Sequence, residues 1–232
     1  MKRKIVFLTG AGISAESGVP TFRDAGGLWE GYDVEDVASI GGWYRNPGLM
    51  LDFYTERRMA MLSVEPNAAH RAIARLEEWY DVVVVTQNVD DLHERGGSTH
   101  VIHLHGELSK VCSSRDKETC VKVLPYDVPL RLGDKAEDGS QLRPYIVWFG
   151  EDVPNFPRAM EEVAGADILV VVGTSMQVQP AASLVFASQA KENYVIDPNM
   201  PRKIGRLGGN FQVLQETATK GMELLLDRLA KS

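Results

Sequence analysis

The chain has 232 residues, 44% of them hydrophobic and 25% charged, enough for one large domain or a large and a small one around a core that needs no disulfide staples. A formal net charge of −7 argues against bulk nucleic-acid binding and is compatible with cationic partners. No run approaches the roughly 18 to 20 apolar residues of a membrane span, the apolar run after Lys4 stops at Thr9-Gly10, and only Cys112 and Cys120 are present, so we expect a cytoplasmic monomer without a disulfide framework.

Lys4 to Thr9 reads as a short buried strand that runs into Gly10-Ala11-Gly12-Ile13-Ser14-Ala15. Gly10 and Gly12 permit positive φ and close approach of backbone N–H groups to a diphosphate, while small Ala15 lets a following helix pack on the sheet. Pro20, then Thr21-Phe22-Arg23 and Gly26-Gly27, read as a loop carrying an aromatic ring and a cation. Residues 27 to 65 look like an inserted helical module, with its main helix over 48–62. Asn67 stands where an N-cap belongs, ahead of a helix ending near Tyr80. Val82-Val83-Val84-Val85 has the β-branched continuity of a parallel strand covered on both faces.

Val101 to His105 alternates as a further strand, closed by Gly106. From Glu107 to Arg143 the chain turns polar and aperiodic, a second insertion with an exposed loop around Gly133 to Ser140. Strands are expected again at 145–149, 168–172, 194–196 and 211–214, with helices over 157–164, over 180–191 and through Met222, Leu225, Leu226 and Leu229. This alternation predicts an α/β fold, a doubly wound parallel sheet with ligands at the carboxyl ends of its strands. Four polar motifs fall there: Gly10-Ala11-Gly12, Gln87-Asn88-Val89-Asp90, His105-Gly106 and Gly173-Thr174-Ser175.

Amides offer a donor and an acceptor each, so Gln87 and Asn88 can hold ribose hydroxyls or a carboxamide, and Asp90 can accept a hydrogen bond from one. The plainer reading of Asn88 or Asp90 is a helix N-cap. His93 reads as helix surface. The run His100-Val101-Ile102-His103-Leu104-His105 invites a metal because alternate strand residues, here His103 and His105, share a face, but no nearby carboxylate or cysteine completes a set. His105, at the strand end, suits a general base, and His103 a hydrogen-bonded core histidine.

These blocks, with Val147-Trp148-Phe149-Gly150-Glu151, resemble in order the sirtuin family of NAD-dependent protein-lysine deacylases. The resemblance implies a Rossmann-like NAD-binding domain at residues 1–26, 66–106 and 144–232, and a smaller domain from insertions 27–65 and 107–143. It also implies a reaction. An acyl-lysine carbonyl oxygen attacks C1′ of the nicotinamide ribose, nicotinamide leaves, an alkylamidate forms, and a histidine matched by His105 activates a ribose hydroxyl that captures the acyl group as O-acyl-ADP-ribose. In that scheme Gln87, Asn88 and Asp90 hold the ribose and carboxamide, while Gly10, Ala11, Gly12, Gly173, Thr174 and Ser175 hold the phosphates or adenosine ribose. Phe22 shields C1′ and Arg23 lies on the cofactor loop. Val147, Phe149, Gly150 and Glu151, with Val178, flank an extended peptide that pairs as a strand.

Tyr54 and Arg57 are spaced i, i+3, so both can face one pocket, where an arginine suits a carboxylate. This Tyr-x-x-Arg, with small Ala25, matches the sirtuin subclass that removes succinyl and malonyl groups, and implies acylated lysines of proteins as substrates. An exposed Arg57 on a charged helix is the plainer alternative. Sirtuins usually hold a structural zinc with four cysteines; two thiols eight residues apart do not supply that set, so we expect no zinc, with Val121, Val123, Leu124, Tyr126, Val128, Leu130 and Leu132 packing the module instead. The family's strand-end asparagine is also out of register, and Asn199 is the substitute. An NAD-dependent ADP-ribosyltransferase would share the cofactor site without the acyl pocket. A non-catalytic binder of NAD or O-acyl-ADP-ribose would have no use for Asn88, Asp90 and His105.

Overall fold

The first strand already divides the core in two. In the computed structural model, which describes residues 2–21, 31–199 and 211–230, β1 (Lys4–Thr9) sends Ile5 and Phe7 into one cluster and Val6 and Leu8 into the other, as a two-residue period requires. Then come α1 (Val34–Val37), α2 (Ile40–Arg45), α3 (Pro47–Ala60), α4 (Ala68–Arg75), β2 (Asp81–Thr86), α5 (Leu92–Arg95) and β3 (Val101–His103). After these follow β4 (Gly106–Ser113), β5 (Lys122–Val123), β6 (Leu142–Ile146), α6 (Phe156–Ala164), β7 (Ile168–Val172), β8 (Glu192–Ile196), β9 (Phe211–Leu214) and α7 (Ala218–Leu229). The expected Phe22, Arg23 and Ala25 lie outside the described residues.

Six strands form a parallel sheet in the order β3-β2-β1-β7-β8-β9. Ile73 of α4 with Met222 and Leu225 of α7 cover one face; Val163 of α6 and Leu184 and Val185 of the 3-10 segment Ala181–Ala187 cover the other. The strand order reverses between β1 and β7, and at such a point the connecting loops diverge and open a crevice. This is the doubly wound architecture that the alternating pattern predicts.

A second, antiparallel sheet, β5-β4-β6, packs with α3 around Met50, Phe53, Tyr54, Leu108, Val111 and Trp148. The strand expected at 145–149 is β6, shifted so that all of it lies before Trp148, and it pairs antiparallel with β4, a strand hidden in the stretch read as aperiodic. Gly106 does not close a strand; it begins β4 in the left-handed region, at φ +84°. No α-helix follows the glycine turn directly, only 3-10 turns at Ala11–Ile13 and Ala15–Ser17, and Ala15 faces solvent. Gly10 is extended, at φ −134°. Glycine is needed there for closeness, because a Cβ would lie 2.7 Å from Thr174 Cβ and 2.9 Å from Gly173 O.

The apolar packing expected for the second insertion is narrower than its composition implies. Leu130 is buried and Leu124 and Tyr126 are half-buried, but Val121, Val123, Val128 and Leu132 are exposed. Much of the tie comes from Arg58 of α3, whose buried guanidinium donates to Leu108 O of β4, and to Leu124 O and Pro125 O at 2.9 and 2.6 Å. A planar cation with five donors collects carbonyls that have no sheet partner. Cys112 is buried and Cys120 half-buried, both as free thiols.

Candidate active site

The carboxyl ends of β1, β2, β3 and β7 open into one cleft of about 950 Å³, which brings together Gly10, Gly12, Asn88, Asp90, His105 and Thr174. Its floor is a backbone crossing: Gly12 N donates to Gly173 O at 2.9 Å and Gly10 N to Val172 O at 3.1 Å. A Cβ on Gly12 would meet Gly173 Cα at 2.6 Å, so a side chain there is excluded and the backbone itself lines the cleft. Asn67, the α4 N-cap, anchors the turn from behind, its Nδ2 donating to Ile13 O at 2.7 Å.

From the end of β2, Asn88 Nδ2 donates to Ser14 Oγ at 3.0 Å, and Ser14 Oγ donates to Asp90 Oδ2 at 3.1 Å. Asp90 Oδ1 accepts from Leu92 N at 3.2 Å, but the N-cap of α5 is Asp91, without a side-chain capping bond, so neither Asn88 nor Asp90 is the N-cap of the plainer reading. Burial pushes Asp90 up to about 6, against its hydrogen bonds from Leu92 and Ser14. Gln87 Nε2 donates to Thr174 Oγ1 at 2.9 Å, linking the ends of β2 and β7.

His105 Nδ1 lies 3.1 Å from Gln87 O. A carbonyl only accepts, so Nδ1 carries the hydrogen and Nε2 is left as the basic nitrogen. Burial holds its pKa below the ordinary histidine value, which keeps the ring neutral at pH 7. His103 differs. Its Nδ1 faces Asn88 O at 3.0 Å and its Nε2 faces Glu94 Oε1 at 2.8 Å; two acceptors require two ring hydrogens, hence an imidazolium. His93 is not helix surface as expected: it is buried, and its Nε2 lies 3.0 Å from Thr9 Oγ1 because the one-turn α5 folds back on the β1 end.

Tyr54 and Arg57 line the same cleft from the small sheet's side. Arg57 is half-buried, not an exposed surface arginine; its Nη1 donates to Phe53 O at 2.9 Å and its guanidinium carbon lies 3.1 Å from the Phe53 ring centroid. Val147, Phe149, Gly150, Glu151 and Val178 border the cleft as well, but Phe149 pairs its own backbone with Ala38 and Ile40, at 2.8 and 3.0 Å. Asn199 is exposed at the cleft margin beyond β8, where its N donates to Asp197 Oδ1 at 2.8 Å. Ala11 and Ser175 complete the margin. Ser14 was given no role by sequence reasoning, although it lies inside the glycine block; its buried place between Asn88 and Asp90 depends on a chain reversal that spacing does not report.

A model of the Sir2 family matches residues 10–180. The chain belongs to the Sir2 family. This sirtuin is 50% identical over 227 residues to an NAD-dependent protein deacylase of Bacteroides thetaiotaomicron, covering 96% of each chain, and 43% identical over 233 residues to NAD-dependent protein deacylase Sir2 of Mycolicibacterium smegmatis, covering 97% of this chain and 96% of that one. Among solved structures it superposes on a mutant Sir2 homologue in complex with ADP-ribose at a TM-score of 0.88 and 37% identity, covering 99% and 93% of the two chains. It superposes on a Sir2–p53 peptide–NAD+ complex at 0.79 and 29%, covering 100% and 95%. Among the described residues of the sirtuin, no helix is long and apolar enough to cross a membrane.

Proposed function

We propose that this sirtuin is an NAD-dependent protein-lysine deacylase that accepts both acetyl and dicarboxylic acyl groups, acting as a cytoplasmic monomer on acylated proteins. Residues 1–26, 66–106 and 144–232 would form its NAD-binding domain and 27–65 with 107–143 its smaller one; β6 joins them, since Leu142–Ile146 straddles that division. The observation that carries the reading is His105, a neutral imidazole with its hydrogen fixed on Nδ1, in the same cleft as a side-chain-free backbone turn.

The turn leaves room for a diphosphate, because a side chain at Gly10, Gly12 or Gly173 would collide with neighbouring backbone, while their own N–H groups are spent on Val172 O, Gly173 O and Ile196 O. NAD supplies the reaction with an electrophilic ribose C1′ and nicotinamide as leaving group. Around it the chain would divide the work. Asn88 and Asp90 hold the carboxamide and ribose from the β2 end, with Ser14 fixing the orientation of both. His105 Nε2 takes the proton of a ribose hydroxyl and passes it on as acyl transfer completes. Arg57 faces the far end of the acyl chain.

Turnover of acetyl-, succinyl- and longer acyl-lysine peptides, with and without NAD, in wild type and His105→Ala, tests this. We expect NAD-dependent release of free lysine that His105→Ala lowers by at least a hundredfold, a general-base effect. Transfer of labelled ADP-ribose to protein without deacylation would favour the ADP-ribosyltransferase.

A further inference from the structure

Trp148 sits at the junction between the peptide-flanking segment and the acyl end of the cleft, and its indole has only one polar atom. Nε1 is a donor without acceptor capacity, and it gives its hydrogen to Tyr54 Oη at 3.0 Å. That bond occupies one lone pair of Tyr54 and directs its hydroxyl hydrogen away from the indole. Tyr54 is buried, and burial pushes its pKa well above the ordinary tyrosine value, so it stays a phenol able to donate. Among the described residues nothing in the protein accepts that hydrogen, and the ring borders the cleft with Arg57 one helical turn away.

Trp148 is itself held from several sides. Its backbone N donates to Glu151 Oε2 at 2.9 Å, and the Arg143 guanidinium stacks on the indole with its carbon 3.4 Å from the ring centroid. Arg143 binds the two Glu151 oxygens in a fork at 2.7 and 2.9 Å, and Trp43 packs on the indole at 5.3 Å between centroids. An indole so fixed can fix the hydroxyl it touches.

We infer that Trp148 is a positioning residue for acyl-group selection: through its Nε1 hydrogen it aims the Tyr54 hydroxyl at the carboxylate of a dicarboxylic acyl chain beside Arg57. This rests on the acyl-pocket reading proposed above. An acetyl group has no carboxylate to receive that hydrogen, so the effect is confined to acidic acyl groups. Trp148 acts through Tyr54 and touches no reacting atom.

The test is Trp148→Phe, which keeps an aromatic ring under Arg143 and removes the donor together with part of the indole's volume. The readouts are kcat/KM for succinyl- and acetyl-lysine versions of one peptide, and the affinity of the succinyl peptide for NAD-free protein by calorimetry. We expect the succinyl-to-acetyl ratio of kcat/KM, and the succinyl affinity, to fall about fivefold, the worth of one oriented hydrogen bond, with acetyl turnover within twofold. Tyr54→Phe should lower the ratio at least as far, and adding Trp148→Phe to it should lower the ratio no further. Equal losses on both peptides, or an additive double mutant, would overturn the inference. Should Trp148→Phe not fold, an unchanged ratio in Tyr54→Phe overturns it alone. The pocket reading fails separately: Arg57→Met leaving succinyl turnover intact sinks that reading, whereas Arg57→Met abolishing it while Trp148→Phe leaves the ratio unchanged sinks only the role of Trp148.

Discussion

Gly12 and Gly173 touch backbone to backbone, with Gly12 N donating to Gly173 O at 2.9 Å and space for no Cβ between them. Gly12→Ala would place a methyl 2.6 Å from Gly173 Cα, and backbone cannot yield as a flexible side chain can. We expect a loss of about 1–3 kcal/mol in stability, the usual range for overpacking, and a KM for NAD raised at least tenfold. Urea unfolding and NAD titration measure the two; a variant with wild-type values in both would show that β1 and β7 can part freely.

Asp90 carries a different signature. Its folded pKa of about 6 exceeds the ordinary 3.8, so its contribution to stability is complete below pH 3.8 and lost as pH rises through 6. At pH 8 its charge therefore opposes folding, on the order of 2–3 kcal/mol. Asp90→Asn should be at least as stable as wild type at pH 8 yet bind NAD more weakly, and wild-type kcat/KM for NAD should fall below about pH 6. An Asp90→Asn protein that melts earlier than wild type at pH 8 would refute the sign.

The Glu94–His103 pair predicts a two-sided dependence. Burial lowers the pKa of His103, but the hydrogen bond and charge of Glu94 raise it overall; burial raises that of Glu94, but His103 lowers it overall. The histidine's share is complete below about 6.5 and fades as pH rises through its raised value, while the glutamate's is complete above about 4.5 and fades as pH falls through its lowered value. The melting-temperature gap between wild type and Glu94→Gln should thus be widest between those limits and shrink by pH 9. Since His103 also holds Asn88 O, the same variant should raise the KM for NAD more than it lowers kcat.

Arg58 takes over part of the tie within the second insertion. Arg58→Met keeps much of the apolar stem but strands the carbonyls of Leu108, Leu124 and Pro125, at a cost of about 2–4 kcal/mol. Chelators should leave the wild-type melting temperature unchanged, and elemental analysis that found stoichiometric zinc would overturn this account.

The parallel sheet was legible because β-branched runs such as Val82 to Val85 and Ile168 to Val172 are buried on both faces and leave an unbroken apolar signature. The motifs at the strand ends were legible because each sits directly after such a run. β4 was not: its outward residues, Glu107, Ser109 and Lys110, are polar, and its pairing with β6 spans about thirty residues that no local window sees. Ser14 and Glu94 escaped for the same reason, their partners lying 76 and 9 residues away across turns whose path depends on packing. The two glycines of the first turn were found for positive φ and close approach to a diphosphate; the approach that the structure requires is to the backbone at Gly173 and Thr174.

The crossing at Gly106 has a consequence for engineering. Here the chain leaves the parallel sheet for the antiparallel one, a Cβ would lie 2.0 Å from Tyr145 O, and Val147 N donates to His105 O at 2.9 Å. The histidine is therefore located by a seam between two polypeptide segments. A chimera that imports a foreign second insertion must keep its own 105–106 and 145–147 stitches together, because a graft that respects each insertion but shifts that seam would carry every functional side chain and still misplace the base.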